Sequence, residues 1–152
     1  MVVISAEAVK ELRRQTGVSV MECKKALEDA GGDKEKALKL LGVRAGATAR
    51  SKASRTLGAG TVASYIHITG QVGAMVVLSC ETDFVSKNEE FKELARLIAM
   101  HAAAMRPENT QMLGAQSFIK DEGKTIAELI ADATQKFGER IEITDLAVFS
   151  LQ

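Results

Sequence analysis

Two β-rich runs separated by only two residues place the strongest constraint on the fold of this chain. The runs cover residues 61–69 and 72–80, and the dipeptide between them, Gly70-Gln71, has glycine first. A two-residue connection that begins with glycine is typical of a tight β-hairpin. The chain is therefore expected to contain an antiparallel pair of strands near its middle.

The hairpin register expected from this loop leaves apolar side chains on both faces of the sheet. Pairing Thr69 with Val72 places Tyr65 opposite Val76. One expected face carries Tyr65, Val76, Ala63 and Leu78. The other expected face carries Ile66, Ile68, Met75 and Val77. A third apolar run, residues 141–149, can extend the sheet to three strands. A sheet that is apolar on both sides must be covered on both sides.

Two amphipathic helices are available to cover one of these faces. Apolar residues at helical spacing form two stripes. The first stripe consists of Phe91, Leu94, Ala95, Ile98, Ala102 and Met105. The second consists of Ile126, Leu129, Ile130, Ala133 and Phe137. A capping box from Thr125 to Glu128 and a stop at Gly138 frame the second helix. The other face is left for the N-terminal part of the chain, a second copy of the chain, or a binding partner. This shortage of cover predicts an interaction protein.

The first 45 residues predict three short helices that begin after Ser5, Ser19 and Asp33. A unit of this size buries little apolar surface, so it is suited to docking rather than to housing a catalytic pocket. The predicted organisation is a three-helix module over residues 1–45, a basic linker over 46–57, and an α+β core and dimerisation domain over 58–152. The fold class is therefore α+β, with a small three-stranded antiparallel sheet packed against helices.

Composition and motif content argue against catalysis and against several kinds of ligand. Residues 1–55 hold 12 Lys and Arg against 7 Asp and Glu, but no aromatic residue is interleaved for base stacking, so no direct nucleic-acid contact is expected. His67 and His101 have no neighbour in sequence for a metal pair or a nucleophile-base pair. We therefore expect no enzyme activity, metal or cofactor. No apolar run has the length of a membrane span, and Cys23 and Cys80 are expected to be reduced and buried in a cytoplasmic protein.

An acid-flanked aromatic, Glu81-Thr82-Asp83-Phe84-Val85, lies between the second β-rich run and the helical pattern that begins near Asn88. Side chains on such a connection are presented to partners rather than packed into a core. Phe84 could instead be a core aromatic, and Thr82 could serve mainly as a helix cap. Glu81 and Asp83 alone are weak evidence for an acid-base pair or a magnesium site. Phe91 already supplies an aromatic residue to the adjacent core, so a core role for Phe84 is the weaker alternative.

Two groups of residues resemble the translation elongation factor Ts family. Thr16-Gly17, residues 21–27 (MECKKAL) and Gly32-Asp33 resemble its N-terminal module, which is of the UBA-like type that recurs in ubiquitin-binding and nascent-chain proteins. Residues 81–85 (ETDFV), followed by 88–91 (NEEF), resemble the signature of its core domain. The resemblance is clear over residues 2–103, weaker over 125–139, and poor over 104–122.

The resemblance implies a guanine-nucleotide exchange factor for elongation factor Tu that binds its GDP-bound and nucleotide-free forms. Thr82, Asp83, Phe84 and Val85 would enter the GTPase beside its magnesium site, with Phe84 as a wedge between helices. The resemblance further implies that the N-terminal module holds the nucleotide domain, through contact residues that would be Val20, Met21 and Lys24. Longer family members carry a second core subdomain, so a homodimer is our hypothesis for the missing contact. The alternative is a ubiquitin-like or nascent-chain docking protein without exchange activity, for which residues 1–45 would suffice.

Overall fold

The structure is a computed structural model that describes residues 2–151. Over these residues the chain forms seven α-helices and five β-strands. The helices are α1 (Ala6–Thr16), α2 (Val20–Asp29), α3 (Lys34–Ser51), α4 (Asp83–Ser86), α5 (Glu89–Met105), α6 (Thr110–Ala115) and α7 (Ile126–Phe137). The strands are β1 (Ala59–Ile66), β2 (Val72–Cys80), β3 (Ser117–Phe118), β4 (Asp121–Thr125) and β5 (Glu142–Ser150).

The three N-terminal helices begin at the predicted caps. The Ser5 hydroxyl accepts a hydrogen bond from the backbone N–H of Ala8 at 3.1 Å, and the Ser19 and Asp33 side chains accept equivalent bonds at α2 and α3. Each bond satisfies a backbone donor that lacks a partner within its helix. The helices enclose a small core that includes Leu12, Cys23, Ala26, Leu27, Ala37 and Leu41. Helix α3 continues to Ser51, so its last turns lie in the segment that the sequence assigned to the linker.

The second part of the chain has the predicted α+β architecture. Strand β2 lies between β1 and β5 and pairs antiparallel with both. Helix α5 packs against β1 and β2, and Phe91 on this helix makes an edge-to-face contact with Phe137 of α7 at 6.0 Å between ring centroids. The capping box of α7, with Thr125 and Glu128 bonded reciprocally, is present as predicted. The sheet, α5 and α7 thus enclose one core.

The hairpin loop is longer than the sequence predicted. Tyr65 pairs with Ala74 rather than Val76, and the His67 N–H donates to the Val72 carbonyl at 2.9 Å. The connection is therefore the four residues 68–71. Gly70 takes a left-handed conformation with φ of 70° and donates its N–H to the His67 carbonyl at 2.8 Å. Glycine closes this turn instead of starting a two-residue loop.

The corrected register moves Ile68 from the predicted sheet face into the loop. The other side chains keep their predicted faces, because the register differs from the predicted pairing by two residues and the side-chain period of a strand is two. Ala74, Val76 and Leu78 point into the core. The opposite side, which we call the outer face, carries Val62, Ile66, Met75, Val77, Ala147 and Phe149. Phe149 is 74% exposed and Ile66 is 67% exposed. Helix α3 packs against α7, so the N-terminal module does not provide the missing cover.

Four short elements were not predicted from the sequence. They are α4, α6 and the two strands of the β3–β4 ribbon. Each has six residues or fewer, which is too short for an apolar period to show. Residues 121–125 (DEGKT) are also polar throughout, so only pairing with β3 identifies them as a strand.

The buried side chain of His101 ties this ribbon region to α5. Its Nδ1 accepts a hydrogen bond from the Ile119 N–H at 3.2 Å, so Nε2 carries the proton and donates to the Gln116 side-chain oxygen at 3.0 Å. The ring also stacks on Phe118 at 5.9 Å between centroids. His101 therefore has a structural role, whereas His67 is exposed.

Burial lowers the pKa of His101 below its usual value of 6.5, and the hydrogen bond to Gln116 opposes this only in part. As pH falls below 6.5, the unfolded chain therefore takes up a proton that the folded chain does not. We expect the free energy of unfolding to fall over this range by at most about 1.4 kcal/mol per pH unit. Urea denaturation at pH 7.5 and 5.5 measures this change. His101→Gln should reduce the difference between the two pH values, and the control His67→Gln should preserve it; equal pH dependence in all three proteins would contradict the assignment.

Candidate partner-binding site

The acid-aromatic segment forms a single helical turn, α4, between strand β2 and helix α5. Phe84 is 87% exposed on this turn, as the sequence predicted. Asp83 is also exposed. Val85, in contrast, is 4% exposed and belongs to the main core. The turn is thus anchored through Val85 while Phe84 projects into solvent, where a large aromatic side chain gains nothing from the fold itself.

Thr82 occupies the N-cap position of α4, but its side chain makes no capping bond. Its hydroxyl instead donates to Oε2 of Glu139 at 2.6 Å. The cap interpretation of Thr82 therefore holds for its backbone position alone. The side chain joins the turn to the connection between α7 and β5.

Cys80 contacts the start of this turn from the buried side. Its thiol is fully buried and donates to the Thr82 carbonyl oxygen at 3.3 Å. Burial, and then the negative charge of Glu139, raises the pKa of the Cys80 thiol. The thiol therefore stays protonated at neutral pH and keeps its hydrogen bond. As expected from the sequence, Cys80 and Cys23 are free and buried.

The N-terminal contact residues expected from the sequence lie on the first turns of α2. Met21 is 82% exposed and Val20 is 50% exposed. The Lys24 ammonium lies 3.8 Å from the Glu28 carboxylate, and both side chains are mostly in solvent. Cys23 on the other side of the helix is buried in the small core. This turn therefore presents two apolar side chains and a cation away from the module.

The two candidate contact regions lie on different elements, which the structure connects through α3 and α7. Helix α2 packs on α1 and α3, whereas α4 packs on β1, β2 and α5. After α3, Lys52 donates from Nζ to the Gly138 carbonyl at 3.0 Å. The guanidinium of Arg140 donates to the Arg55 carbonyl at 2.6 Å. The segment after α3 is thus hydrogen-bonded to residues 138–140, the connection whose Glu139 contacts Thr82.

Sequence reasoning missed Glu139 and Arg140 as residues that support the site. Their partners in the loop before α4 lie 57 to 59 residues away in sequence. No local spacing could have revealed these contacts. The only available signal was the position of Glu139 directly after Gly138, the predicted helix stop, where a side chain is held at the end of a rigid element.

Residues 2–151 contain no group of three or more His, Cys, Asp or Glu side chains that could hold a metal ion. In the same range, no helix is long and apolar enough to cross a membrane. A cavity of about 530 Å³ lies by the hairpin loop, lined in part by Tyr65, His67, Met100, Arg106 and Ile119. It includes none of the residues that the sequence placed at the site.

The fold and the site together define a class of protein, namely a small α+β protein that presents exposed side chains for docking on a partner. An exposed aromatic on a well-supported turn is typical of such contacts. Comparison with known proteins identifies the family. The family model of elongation factor Ts matches residues 81–152.

Individual relatives extend this match over almost the whole chain. Elongation factor Ts of Thermosipho melanesiensis is 38% identical over 97% of this chain and 98% of its own length. The protein of that name from Thermodesulfovibrio yellowstonii is 38% identical over 97% and 96%, and that of Carboxydothermus hydrogenoformans is 50% identical over 69% and 48%. The chain belongs to the elongation factor Ts family. The Thermosipho alignment spans 193 positions against 152 residues here, so that relative has residues without a counterpart in this chain.

Proposed function

We propose that this chain is a guanine-nucleotide exchange factor that accelerates the release of GDP from elongation factor Tu. Family membership supports the partner, and the exposure of Phe84 on a turn anchored by Val85 is the observation that carries the mechanism. A side chain in this position can enter a partner without leaving a hole in its own core. The proposed location is the cytoplasm, where the partner works.

The proposed mechanism weakens GDP by disturbing its magnesium ion. Phe84 enters the GTPase beside the magnesium site and separates neighbouring helices, with the Asp83 carboxylate next to it. Mg²⁺ bridges phosphate oxygens and requires near-ideal octahedral ligands. Displacing those ligands therefore weakens the electrostatic hold on GDP without making or breaking a covalent bond. The chain acts on binding equilibria and rates, and it is not an enzyme.

The N-terminal module supplies a second contact in this proposal. Val20, Met21 and Lys24 dock on the nucleotide domain of elongation factor Tu and keep the factor attached while GDP leaves. The factor binds both the GDP-bound and the nucleotide-free forms. Coupling between two ligands is reciprocal. GDP therefore weakens the binding of this chain to elongation factor Tu by the same ratio by which the chain weakens the binding of GDP.

A homodimer is proposed to cover the outer face. Its apolar side chains are exposed, and the N-terminal module packs elsewhere. A contiguous apolar face is typical of an interaction surface. A second copy of the chain would bury this face and would bring a second set of contact residues to the complex.

The direct test measures release of a fluorescent GDP analogue from elongation factor Tu after addition of excess unlabelled GDP. We expect the wild-type chain to accelerate release by about a hundredfold, which lies within the range of typical coupling free energies. Because the proposed action is on Mg²⁺, the acceleration should become smaller when EDTA has already removed the ion. No acceleration in the presence of Mg²⁺ would reject exchange activity, and binding without acceleration would favour the docking alternative. An equal acceleration with and without EDTA would reject the magnesium mechanism alone.

A further inference from the structure

The turn that presents Phe84 cannot be held by its own helical bonds. Helix α4 has four residues, and its N-cap residue Thr82 makes no side-chain capping bond. Isolated helices of one turn are unstable in water because nucleation fixes several residues for each hydrogen bond formed. Contacts from elsewhere in the fold must therefore hold the start of this turn.

Glu139 provides most of these contacts. One carboxylate oxygen, Oε1, accepts hydrogen bonds from the backbone N–H groups of Glu81 at 3.1 Å and Thr82 at 3.0 Å. The other oxygen, Oε2, accepts the hydroxyl of Thr82 at 2.6 Å. Hydrogen bonds to a charged acceptor are about twice as strong as neutral ones. A single side chain thus holds both residues that precede α4.

A second hydrogen bond joins the loop before α4 to the segment that follows α7, and here the side chain that accepts belongs to the loop. The Glu81 carboxylate accepts the backbone N–H of Arg140 at 2.8 Å, and the guanidinium of Arg55 lies 3.6 Å from the same oxygen. Each acidic side chain therefore bonds the backbone of the other segment. Arg55 supplies a positive charge beside the Glu81 carboxylate.

The carboxylate of Glu139 is itself well positioned. It follows Gly138, which ends the twelve-residue helix α7 in a left-handed conformation with φ of 73°. The Gly138 carbonyl also accepts the Lys52 ammonium at 3.0 Å. Glu139 is only half-buried and lies outside both apolar cores. Its contacts order the loop before α4 without being part of the packing that stabilises the fold.

We propose that Glu139 is a positioning residue for nucleotide exchange, which fixes the loop of Glu81 and Thr82 so that Phe84 is held in the orientation that enters the partner. The proposal rests on the exchange function proposed above. Without the Glu139 carboxylate, α4 frays and Phe84 occupies the active orientation for only part of the time. Because the N-terminal module is proposed to keep the factor attached, the smaller competent population lowers the rate of the exchange step within the complex rather than the affinity.

Three substitutions separate this role from a general loss of structure. Glu139→Ala removes all three contacts, whereas Glu139→Gln keeps an oxygen for the two N–H groups and an amide that can donate to the Thr82 hydroxyl oxygen. Glu142→Ala is the matched control, because this nearby carboxylate pairs with the Arg140 guanidinium rather than with the loop of Glu81 and Thr82. The first readout is amide hydrogen exchange of Glu81 and Thr82 by NMR in the factor alone. The second is the maximal rate of GDP release from elongation factor Tu at saturating factor.

We expect Glu139→Ala to accelerate amide exchange at Glu81 and Thr82 and to lower the maximal release rate about tenfold, if the competent population falls to about one tenth. The unfolding midpoint and the half-saturating concentration should change little. Glu139→Gln should restore both readouts, and Glu142→Ala should leave both unchanged. A normal maximal rate for Glu139→Ala, or an equal loss in Glu139→Gln, would overturn the proposal. If the wild type did not accelerate GDP release, the exchange function would fail. Amide protection unchanged in Glu139→Ala would independently show that Glu139 does not hold the loop of Glu81 and Thr82.

Discussion

Phe84→Ala is expected to lower the rate of GDP release from elongation factor Tu by about 30-fold, the factor that corresponds to the ~2 kcal/mol of a contact hot spot. The stability of the factor should not change, because the side chain is 87% exposed and contributes little to the core. Aromatic side chains that fill a partner's pocket dominate interface energetics. The measurement is the release rate at several factor concentrations, together with the thermal midpoint of the variant.

The comparison with other exposed residues makes this test specific. Val43→Ala removes an apolar side chain that is 69% exposed on α3, and it should leave exchange unchanged. Met21→Ala should raise the concentration needed for half-saturation while the maximal rate stays near that of the wild type, because the N-terminal module is proposed to dock rather than to displace Mg²⁺. Phe84→Ala should instead lower the maximal rate. A full maximal rate in this variant would refute the wedge mechanism and leave the partner assignment standing.

The parts of the fold that the sequence predicted depend on local patterns. The Ser5, Ser19 and Asp33 caps act within three residues of the helix start. The stripe of Phe91 repeats along one helix, and the side-chain period of the strands identified both sheet faces. Each of these signals involves neighbours in sequence, so it survives without knowledge of the tertiary structure.

The parts that the sequence did not predict depend on distant contacts or on a choice between similar turns. Gly70 is compatible both with a two-residue loop and with the end of a four-residue loop, so glycine alone could not decide the hairpin register. The residues before helix α4 are hydrogen-bonded to Glu139, whose partner Thr82 is 57 residues away in sequence. The exposure of Phe84 was predictable from its position in the chain together with the family resemblance. The support that orients Phe84 was not.

The residues of the site therefore differ in whether they can be recognised from the sequence. Exposed residues such as Phe84 and Met21 resemble a family motif and can be recognised from the sequence. Val85 and Cys80 hold the turn from the buried side, and Glu139 holds it from the solvent side. In the proposed insertion of Phe84 into a partner, this rigidity would have a physical role, since binding then costs less conformational entropy.

Met75→Glu is expected to convert a homodimer into a monomer. Met75 lies on the central strand in the middle of the outer face and is 47% exposed in the single chain, so a carboxylate there remains solvated in the monomer. In a symmetric dimer each substitution occurs twice, and both charges would lose water at the same apolar interface. The dissociation constant should rise by about a hundredfold or more, which is the effect of ~3 kcal/mol. Light scattering across micromolar concentrations should report a mass near 16.3 kDa for the variant and twice that mass for the wild type.

Val43→Glu tests whether any new surface charge has this effect, because Val43 is exposed on α3, away from the sheet. This variant should remain a dimer. Ser64→Glu provides a second comparison, since Ser64 pairs with Met75 on the outer face and should also weaken the dimer. A wild-type protein that stays monomeric at all concentrations would reject the homodimer. A Met75→Glu protein that remains dimeric would place the contact on another surface and leave the outer face to the partner itself.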